Sequence, residues 1–532
     1  MKSNIIKYIF LVFAITLIAF ACYTVYKDEK NKNTEQIEQT SNVEQNVSND
    51  IRLSIVGYDT INPILSTNRN VQEISKLLYE PLLLLDKNYK PESCLAQEWS
   101  KTGDTSYVIK IKQNLKWQDD SKITANDVKF TIDRLKDTQS IYSYNAVHIS
   151  NVEIVDNYTV KINLDSNIAC FEYNLTFPIL SKSYYEGEDF VNTPKNLMPL
   201  ASGMYRIEKN ESNTITLKKN LNYWNIENKN SKIENIMINL YSSMGEAYNN
   251  FKLGNVDLLT TQNTSVEQYI GTIGYNKKEY IGRDHDFIAM NCNDSLLSRV
   301  EVRKAVAYAI DKSGIISSVY NGKYYTSNFP LSSVFWCYNS ENASSGYNPD
   351  QARQILIDNE WQYKYGYWQK TENYKTIRLT LELTVNSNNS SQVSAAEVIK
   401  NNLENIGIKL KINKVNYEKY NQYLENKSYS MILTGTTIGI TPDLSTYLGE
   451  QNIANYNNDE TTAIINELKN VSDDDKTKEN INRLSTIYNN DFPYVSLYFN
   501  KNTIIYSTSL TGDIEPNCYN IFYGIENWYR TY

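Results

Sequence analysis

The amino-acid sequence predicts a mixed α/β protein built from two or three lobes. Three observations carry that reading. The chain has 532 residues, more than one apolar core usually organises, so several lobes around a sizeable interior are expected. From Ile51 onward, segments with a two-residue apolar period alternate with segments whose apolar residues recur every three or four positions, the pattern of interleaved strands and helices. Between Thr376 and Val415 that alternation resolves into a complete strand, helix, strand unit.

At the N-terminus, Lys2 and Lys7 precede a nearly uncharged apolar run from Tyr8 to Ala21, followed by Cys22. This is the order of a secretory signal, so the chain is expected to leave the cytoplasm. Ile18-Ala19-Phe20-Ala21-Cys22 resembles a bacterial lipobox, in which the cysteine is diacylated and becomes the mature N-terminus, although Ala19 stands where leucine is usual. Residues 1–22 are then a lipoprotein signal peptide. The competing reading is an uncleaved signal anchor, because Ile5 to Val25 is nearly long enough to span a bilayer core. Residues 23–50 are expected to be a flexible tether: from Lys27 to Asp50 there is almost no apolar side chain to bury. The strongest later apolar run, Leu82–Leu85, is far too short to span a membrane.

Thr124-Ala125-Asn126-Asp127 predicts a capped helix with Val128, Ile132 and Leu135 on its buried face. A second helix is expected from Ser298, where Glu301 completes a capping box and Val302, Ala305, Val306, Ala309 and Ile310 form a core stripe. In the unit from Thr376 to Val415, Ile377, Leu379, Leu381, Leu383 and Val385 alternate as a strand. Ser394 with Glu397 opens a helix carrying Val398, Leu403 and Ile406, Gly407 ends it, and Ile408, Leu410 and Ile412 resume the two-residue period. Such a unit implies a right-handed crossover and a parallel strand pair.

Composition narrows the function. With 53 Lys and Arg against 61 Asp and Glu the net charge is −8, so the positive field that nucleic acid requires is lacking and no nucleic-acid partner is expected. The two histidines, His148 and His285, show no zinc-protease spacing, and no Gly-x-Ser-x-Gly turn is present. No metal, no cofactor and no catalytic residue is therefore predicted, and the catalytic alternative left by composition is a secreted hydrolase with paired carboxylates. Cys94, Cys170, Cys292, Cys337 and Cys518 are odd in number and scattered, which indicates neither a disulfide framework nor a structural zinc site. The 44 tyrosines each offer a flat apolar face and a hydroxyl, a combination suited to a wet binding surface.

The run Val302-Arg303-Lys304-Ala305-Val306-Ala307-Tyr308-Ala309-Ile310-Asp311-Lys312 resembles the family 5 extracellular solute-binding proteins, which serve oligopeptide, dipeptide, nickel and some sugar importers. Asn62-Pro63, Leu78-Tyr79-Glu80-Pro81-Leu82 and Leu95-Ala96-Gln97-Glu98-Trp99-Ser100 are similar to its opening segments. Its most specific hallmark is matched by the stretch from Leu115 to Phe130, where Asp120 replaces the usual glycine. Ala201-Ser202-Gly203-Met204-Tyr205, Asn222-Tyr223-Trp224, Tyr347-Asn348-Pro349-Asp350-Gln351-Ala352 and Ile406-Gly407-Ile408 follow in the family's order, so the resemblance runs from about Leu53 to Tyr532.

The resemblance implies a two-lobed, periplasmic-binding-protein-like (class II, Venus-flytrap) α/β fold with an additional inserted domain. Lobe I would comprise residues 51–82, 197–298 and 500–532, the inserted domain 83–196, and lobe II 299–499. It further implies a monomeric substrate-binding lipoprotein of an ABC importer, held to the outer face of the cytoplasmic membrane by the lipid on Cys22. This protein would trap a small solute, foremost an oligopeptide, and deliver it to the permease and its ATPases. A ligand-sensing surface receptor without a permease is the alternative. Positions where relatives place ligand contacts are Asn70, Tyr142, Tyr144 and Trp336, together with Thr434, Gly435, Thr436 and Thr437. Peptide-binding relatives commonly pair an aspartate with the ligand's amine just before a proline-containing turn. Here no acid stands there, and Asp443 lies beyond Pro442.

Overall fold

The computed structural model describes residues 47–48, 50–261, 265–340, 346–471 and 473–531. The expected signal peptide with Cys22 lies outside the described residues, as does the expected tether apart from residues 47, 48 and 50, which are in strands. Residues 47–48 pair antiparallel with 530–531 as part of a small unit of their own. Residues 49–529 form the other compact unit.

That larger unit opens with β1 (Asp50–Val56), whose Ile51, Leu53 and Ile55 alternate inward, and α1 (Arg69–Leu78), capped by the Asn68 side chain on the Asn70 and Val71 amides. β1 lies parallel to 235–241, which continues antiparallel through 214–219 to 205–210. A second four-stranded antiparallel sheet, in the order 96–103, 106–111, 159–164 and 149–156, packs against α2 (Ala125–Asp137). The Thr124 amide donates to Asp127 Oδ2 at 2.7 Å, completing the capping box expected from the sequence, and Val128, Ile132 and Leu135 are buried. One continuous apolar cluster joins both sheets.

The motifs in this half meet at a buried carboxylate. Glu80 accepts from Tyr223 Oη and from Cys94 Sγ, each at 2.6 Å. Burial raises its pKa, and these two donors and nearby lysines oppose the rise. Gly203 is needed for close approach: its amide donates to the Leu78 carbonyl at 2.8 Å, and an added Cβ would stand 2.7 Å from the Leu78 carbonyl carbon. Asp120, in the family's glycine position, adopts φ 67°, a left-handed conformation that aspartate tolerates better than most side chains.

The second half is built on a sheet in the order 258–261, β6 (Tyr494–Ser507), β2 (Tyr275–Met290), β5 (Met431–Thr437), β3 (Thr380–Asn386) and β4 (Lys409–Val415), with 324–326 also paired to β6. β3 and β4 are parallel, as the strand, helix, strand reading predicts. Gly407, at φ 89°, follows α4 (Ser390–Asn405). Two predicted helix starts are displaced. α4 begins at Asn389, whose side chain accepts the Gln392 amide, and Ser394 lies inside it, bonding back to the Ser390 carbonyl. α3 (Val300–Ala309) has no side-chain cap: its N-cap position falls on Arg299, one residue past Ser298, whose hydroxyl donates to the Ser295 carbonyl. The predicted strand at Ile377 is also split: 375–378 joins a small three-stranded sheet with 362–364 and 367–372, and β3 starts at Thr380.

The Leu77–Leu78 backbone has no freedom to recede from Gly203 without opening the cluster around α1. Gly203→Ala is therefore expected to cost about 2 kcal/mol, as overpacking typically does. The check is a fall in the urea midpoint with an unchanged slope.

Candidate functional site

The site is organised by an interruption in the β2–β6 ribbon. The two strands pair from Tyr275 and Ser507 to Ile281 and Lys501, and again from His285 and Phe499 to Ala289 and Tyr494. Between those runs Gly282, Arg283 and Asp284 stand opposite Asn500 alone, a bulge that redirects side chains. An added Cβ at 282 would lie 1.8 Å from Asn500 Oδ1, so any larger residue there would displace the Asn500 side chain. That oxygen accepts the Asp284 amide at 2.9 Å, replacing the ladder bond that the bulge removes.

Arg283 and Asp284 line a cavity of about 250 Å³. α1 forms another wall: Arg69, Gln72, Glu73 and Lys76, at helical spacing i, i+3, i+4 and i+7, all face it, while Val71, Ile74, Leu77 and Leu78 join the core. Lys76 pairs with Glu73 at 3.3 Å. Among the described residues the buried Gln72 side-chain nitrogen has no hydrogen-bond partner. Tyr142, Tyr144 and Tyr173 supply aromatic surface from a third direction, and the end of β5 supplies Thr437, whose hydroxyl donates to Asp284 Oδ1 at 2.6 Å. Cys518 completes the floor. Burial pushes its thiol up to about 11, with Arg283 and Arg69 pulling the other way.

Beyond the cavity, 83–196 meets the far side through polar contacts. Lys101 Nζ donates to the Lys469 carbonyl and to Asn470 Oδ1, the Asn167 amide donates to Asn470 at 2.9 Å, and Lys90 pairs with Asp474. A separate apolar cluster draws Leu85, Tyr89 and Tyr173 together with Phe287, Tyr447 and Tyr494.

Two ionisable groups sit beside the bulge on opposite faces of β2. His285, 1% exposed, bonds Tyr447 Oη at 2.8 Å and Ser496 Oγ at 2.7 Å, and Ser496 in turn donates to Ser327 Oγ at 2.8 Å. Burial, reinforced by Lys312, lowers its pKa to about 3, so the ring is neutral. This histidine–serine contact is sealed, since Ser496 is 2% exposed, and it fastens β2 to β6 and Tyr447. Asp286 pairs in register with Gly435, where a Cβ would come within 2.2 Å of the carboxylate. Burial, then repulsion from Asp284, raises the Asp286 pKa to about 7.

Of the positions singled out in the sequence, Tyr142, Tyr144 and Thr437 line the cavity. The others lie elsewhere, for identifiable reasons. Asn70 belongs to α1, and its Oδ1 accepts the Val56 amide at 3.2 Å. Trp336 stands one layer back, its indole donating to Tyr173 Oη at 2.9 Å. Thr434 is buried in β5, Gly435 makes room for Asp286, and Thr436 pairs with His285. Asp443 accepts the Ser445 amide and hydroxyl. Arg69, Gln72, Glu73, Lys76, Arg283 and Asp284 were not anticipated. A glycine inside a strand pattern at 282 was the available signal for a bulge. A wider groove between 459–468 and 474–491 is lined by charged residues whose Arg483 pairs with Glu460 and Glu467, and it reads as solvated surface.

The model of the bacterial extracellular solute-binding proteins, family 5 Middle, matches residues 90–459. The chain is 24% identical over 555 residues to heme-binding protein A of Haemophilus influenzae, covering 96% of this chain and 97% of that protein. It is 22% identical over 505 residues to the oligopeptide-binding protein AppA of Bacillus subtilis, covering 90% and 91%. The solved structure of HbpA2 from Haemophilus parasuis aligns with a TM-score of 0.75 at 21% identity, over 91% of this chain and 100% of that one. The shared fold is the two-lobed α/β arrangement expected from the sequence.

His285 gives a pH signature. Its folded-state pKa lies below the ordinary value of 6.5, so the unfolded chain takes up the proton first and the group's contribution to stability is lost as pH falls from about 6.5 toward 3. Relative to His285→Asn, the wild type should lose about 1.4 kcal/mol per pH unit in that window. Paired denaturant melts at pH 7, 6 and 5 measure the difference, in which titrations common to both proteins cancel.

Proposed function

The chain belongs to the family 5 bacterial extracellular solute-binding proteins, and we propose that it is the binding subunit of an ABC importer, capturing a small solute between two lobes and handing it to a permease. The observation that carries this reading is the cavity at the ribbon bulge. Its walls come from α1 and the tyrosines on one side and from Thr437 and residues 439–441 on the other, so a solute there touches both. Such contacts bias two hinged bodies toward closure, and the permease needs only to favour the open form. Residues 51–82, 197–298 and 500–532 would make lobe I, 83–196 the inserted domain and 299–499 lobe II, with β2 and β6 as the connecting strands. Micromolar capture requires about 8 kcal/mol, within reach of a concave site with a few directed polar groups.

A short peptide is the solute we favour. The volume of about 250 Å³ is at or below the lower end of sites for drug-sized ligands, and one similar protein is an oligopeptide-binding protein. Asp284 lines the cavity at the bulge and Asp443 does not, so Asp284 is the acid we assign to a ligand amine. The protein would be anchored outside the cytoplasmic membrane by a lipid on Cys22.

Two measurements test this. Protein purified from its own host is expected to carry a solute visible by native mass spectrometry, and readdition of that solute to stripped protein should lower the radius of gyration in solution scattering. A ligand-independent radius would contradict capture by closure. Cys22→Ser is expected to move the protein from the membrane fraction to the soluble or secreted fraction, and retention in the membrane would point to an uncleaved anchor.

A further inference from the structure

We propose that closure of the lobes takes up a proton at Glu172, so that an acidic exterior favours the enclosed state. The inference rests on the capture reading above and adds a condition under which capture is strongest.

Glu172 belongs to the short helical turn Phe171–Leu175, in a segment that touches the far side at both ends. Before it, the Asn167 side-chain amide donates to Asn470 Oδ1 at 2.9 Å. After it, Tyr173 Oη accepts the Trp336 indole at 2.9 Å, and Tyr173, Asn174 and Thr176 line the cavity. Glu172 is itself partly buried, between the buried Phe171 and Tyr173. It therefore stands between the polar contacts of the junction and the cavity. Opening would carry 83–196 away from 299–499 and return this carboxyl to water.

With the two sides in contact, the carboxylate has no matching cation. Lys101 is the cation whose charge reaches it, yet its three ammonium protons go to Asn167 Oδ1 at 2.6 Å, to the Lys469 carbonyl and to Asn470 Oδ1 at 3.1 Å. All three acceptors are neutral, and two belong to the far side. From that side Asp474, paired with Lys90, brings a second negative charge. The other titratable groups facing Glu172 are Tyr107, on strand 106–111, and Cys170 and Tyr173 on its own segment, all kept neutral by burial. Burial raises the Glu172 pKa to about 7; its own backbone amide opposes the rise, Asp474 adds to it and Lys101 opposes it.

In water the same carboxyl has its ordinary pKa of 4.5. Between 4.5 and about 7 the closed form therefore holds a proton, drawn from solvent onto a carboxylate oxygen, that the open form does not. The closed-to-open ratio rises as pH falls through that window, by up to about tenfold per unit, and is flat on either side of it. Asp286, also raised to about 7, is paired in one sheet with Gly435 and Tyr498, which opening does not part, so it serves as the control.

Single-molecule energy transfer between dyes on 83–196 and 299–499 counts closed and open molecules of the exported, solute-stripped chain from pH 8 to 4. For the wild type the closed-to-open ratio should rise about tenfold or more between pH 7 and 5. Glu172→Gln, neutral at every pH, should give a flat ratio near the acid value of the wild type, and Asp286→Asn should keep the wild-type response. Should Glu172→Gln misfold, Asp474→Asn gives a second measure: without the neighbouring negative charge, the midpoint of the response should move to lower pH. A ratio that ignores pH, a single distance at every pH, a response that persists in Glu172→Gln, or a midpoint unmoved in Asp474→Asn overturns the proposal. Capture is read separately, by adding the heat-released extract of protein purified from its own host. Closure by the extract without any pH response leaves capture intact, whereas molecules that answer neither to extract nor to pH remove both readings.

Discussion

A β-ribbon can skip rungs only if something else bonds the backbone groups left behind. Here the Asn500 side chain takes the Asp284 amide and the Ile438 amide bonds the Arg283 carbonyl, and the rest of the site depends on them. Asn500 takes the Asp284 amide, Gly282 leaves Asn500 the room, and the strands resume pairing at His285 and Phe499. The bulge therefore sits in the middle of the longest strands of the molecule, flanked by pairing on both sides. Side chains rooted there are held by a sheet and not by a loop. This lets Arg283 and Asp284 reach the cavity with little freedom to wander, a form of pre-organisation that lowers the entropic cost of binding.

How much of this could be read beforehand follows from what each signal encodes. The parallel pair of β3 and β4 was legible because Leu379, Leu381, Leu383 and Val385 alternate and all are buried, and because Gly407 occupies the left-handed position its sequence context suggests. Helix starts were less legible where several capping residues compete. Asn388, Asn389, Ser390 and Ser394 all suit a cap, and it is Asn389 whose side chain accepts the Gln392 amide. Within the site, Tyr142, Tyr144 and Thr437 came through family resemblance. The stripe Arg69, Gln72, Glu73 and Lys76 did not, because the polar face of an amphipathic helix has the same pattern whether it meets bulk water or a cavity. Arg283 and Asp284 were hidden for another reason: a bulge switches which side of a strand a residue faces, and periodicity cannot count through it.

The ionisable groups around the bulge follow a consistent logic. His285 is kept neutral by burial and spends both ring nitrogens on hydroxyls. Asp286, on the opposite face, is held toward its protonated form, and Gly435 is small because that carboxylate occupies the space a side chain would need. Thus the glycine of the Thr-Gly-Thr-Thr stretch answers to packing, and the histidine beside it answers to strand adhesion. Neither needs a ligand to explain it.

The polar contacts beyond the cavity are of a different kind. Lys90 with Asp474, Lys101 with Asn470 and the Lys469 carbonyl, and Asn167 with Asn470 join largely exposed groups, and an exposed ion pair contributes roughly 0–1 kcal/mol and is screened by salt. A clasp this weak adds little to equilibrium grip. Of these contacts only Lys90 with Asp474 pairs two charges, so added salt loosens that one link and leaves the hydrogen bonds to neutral acceptors in place.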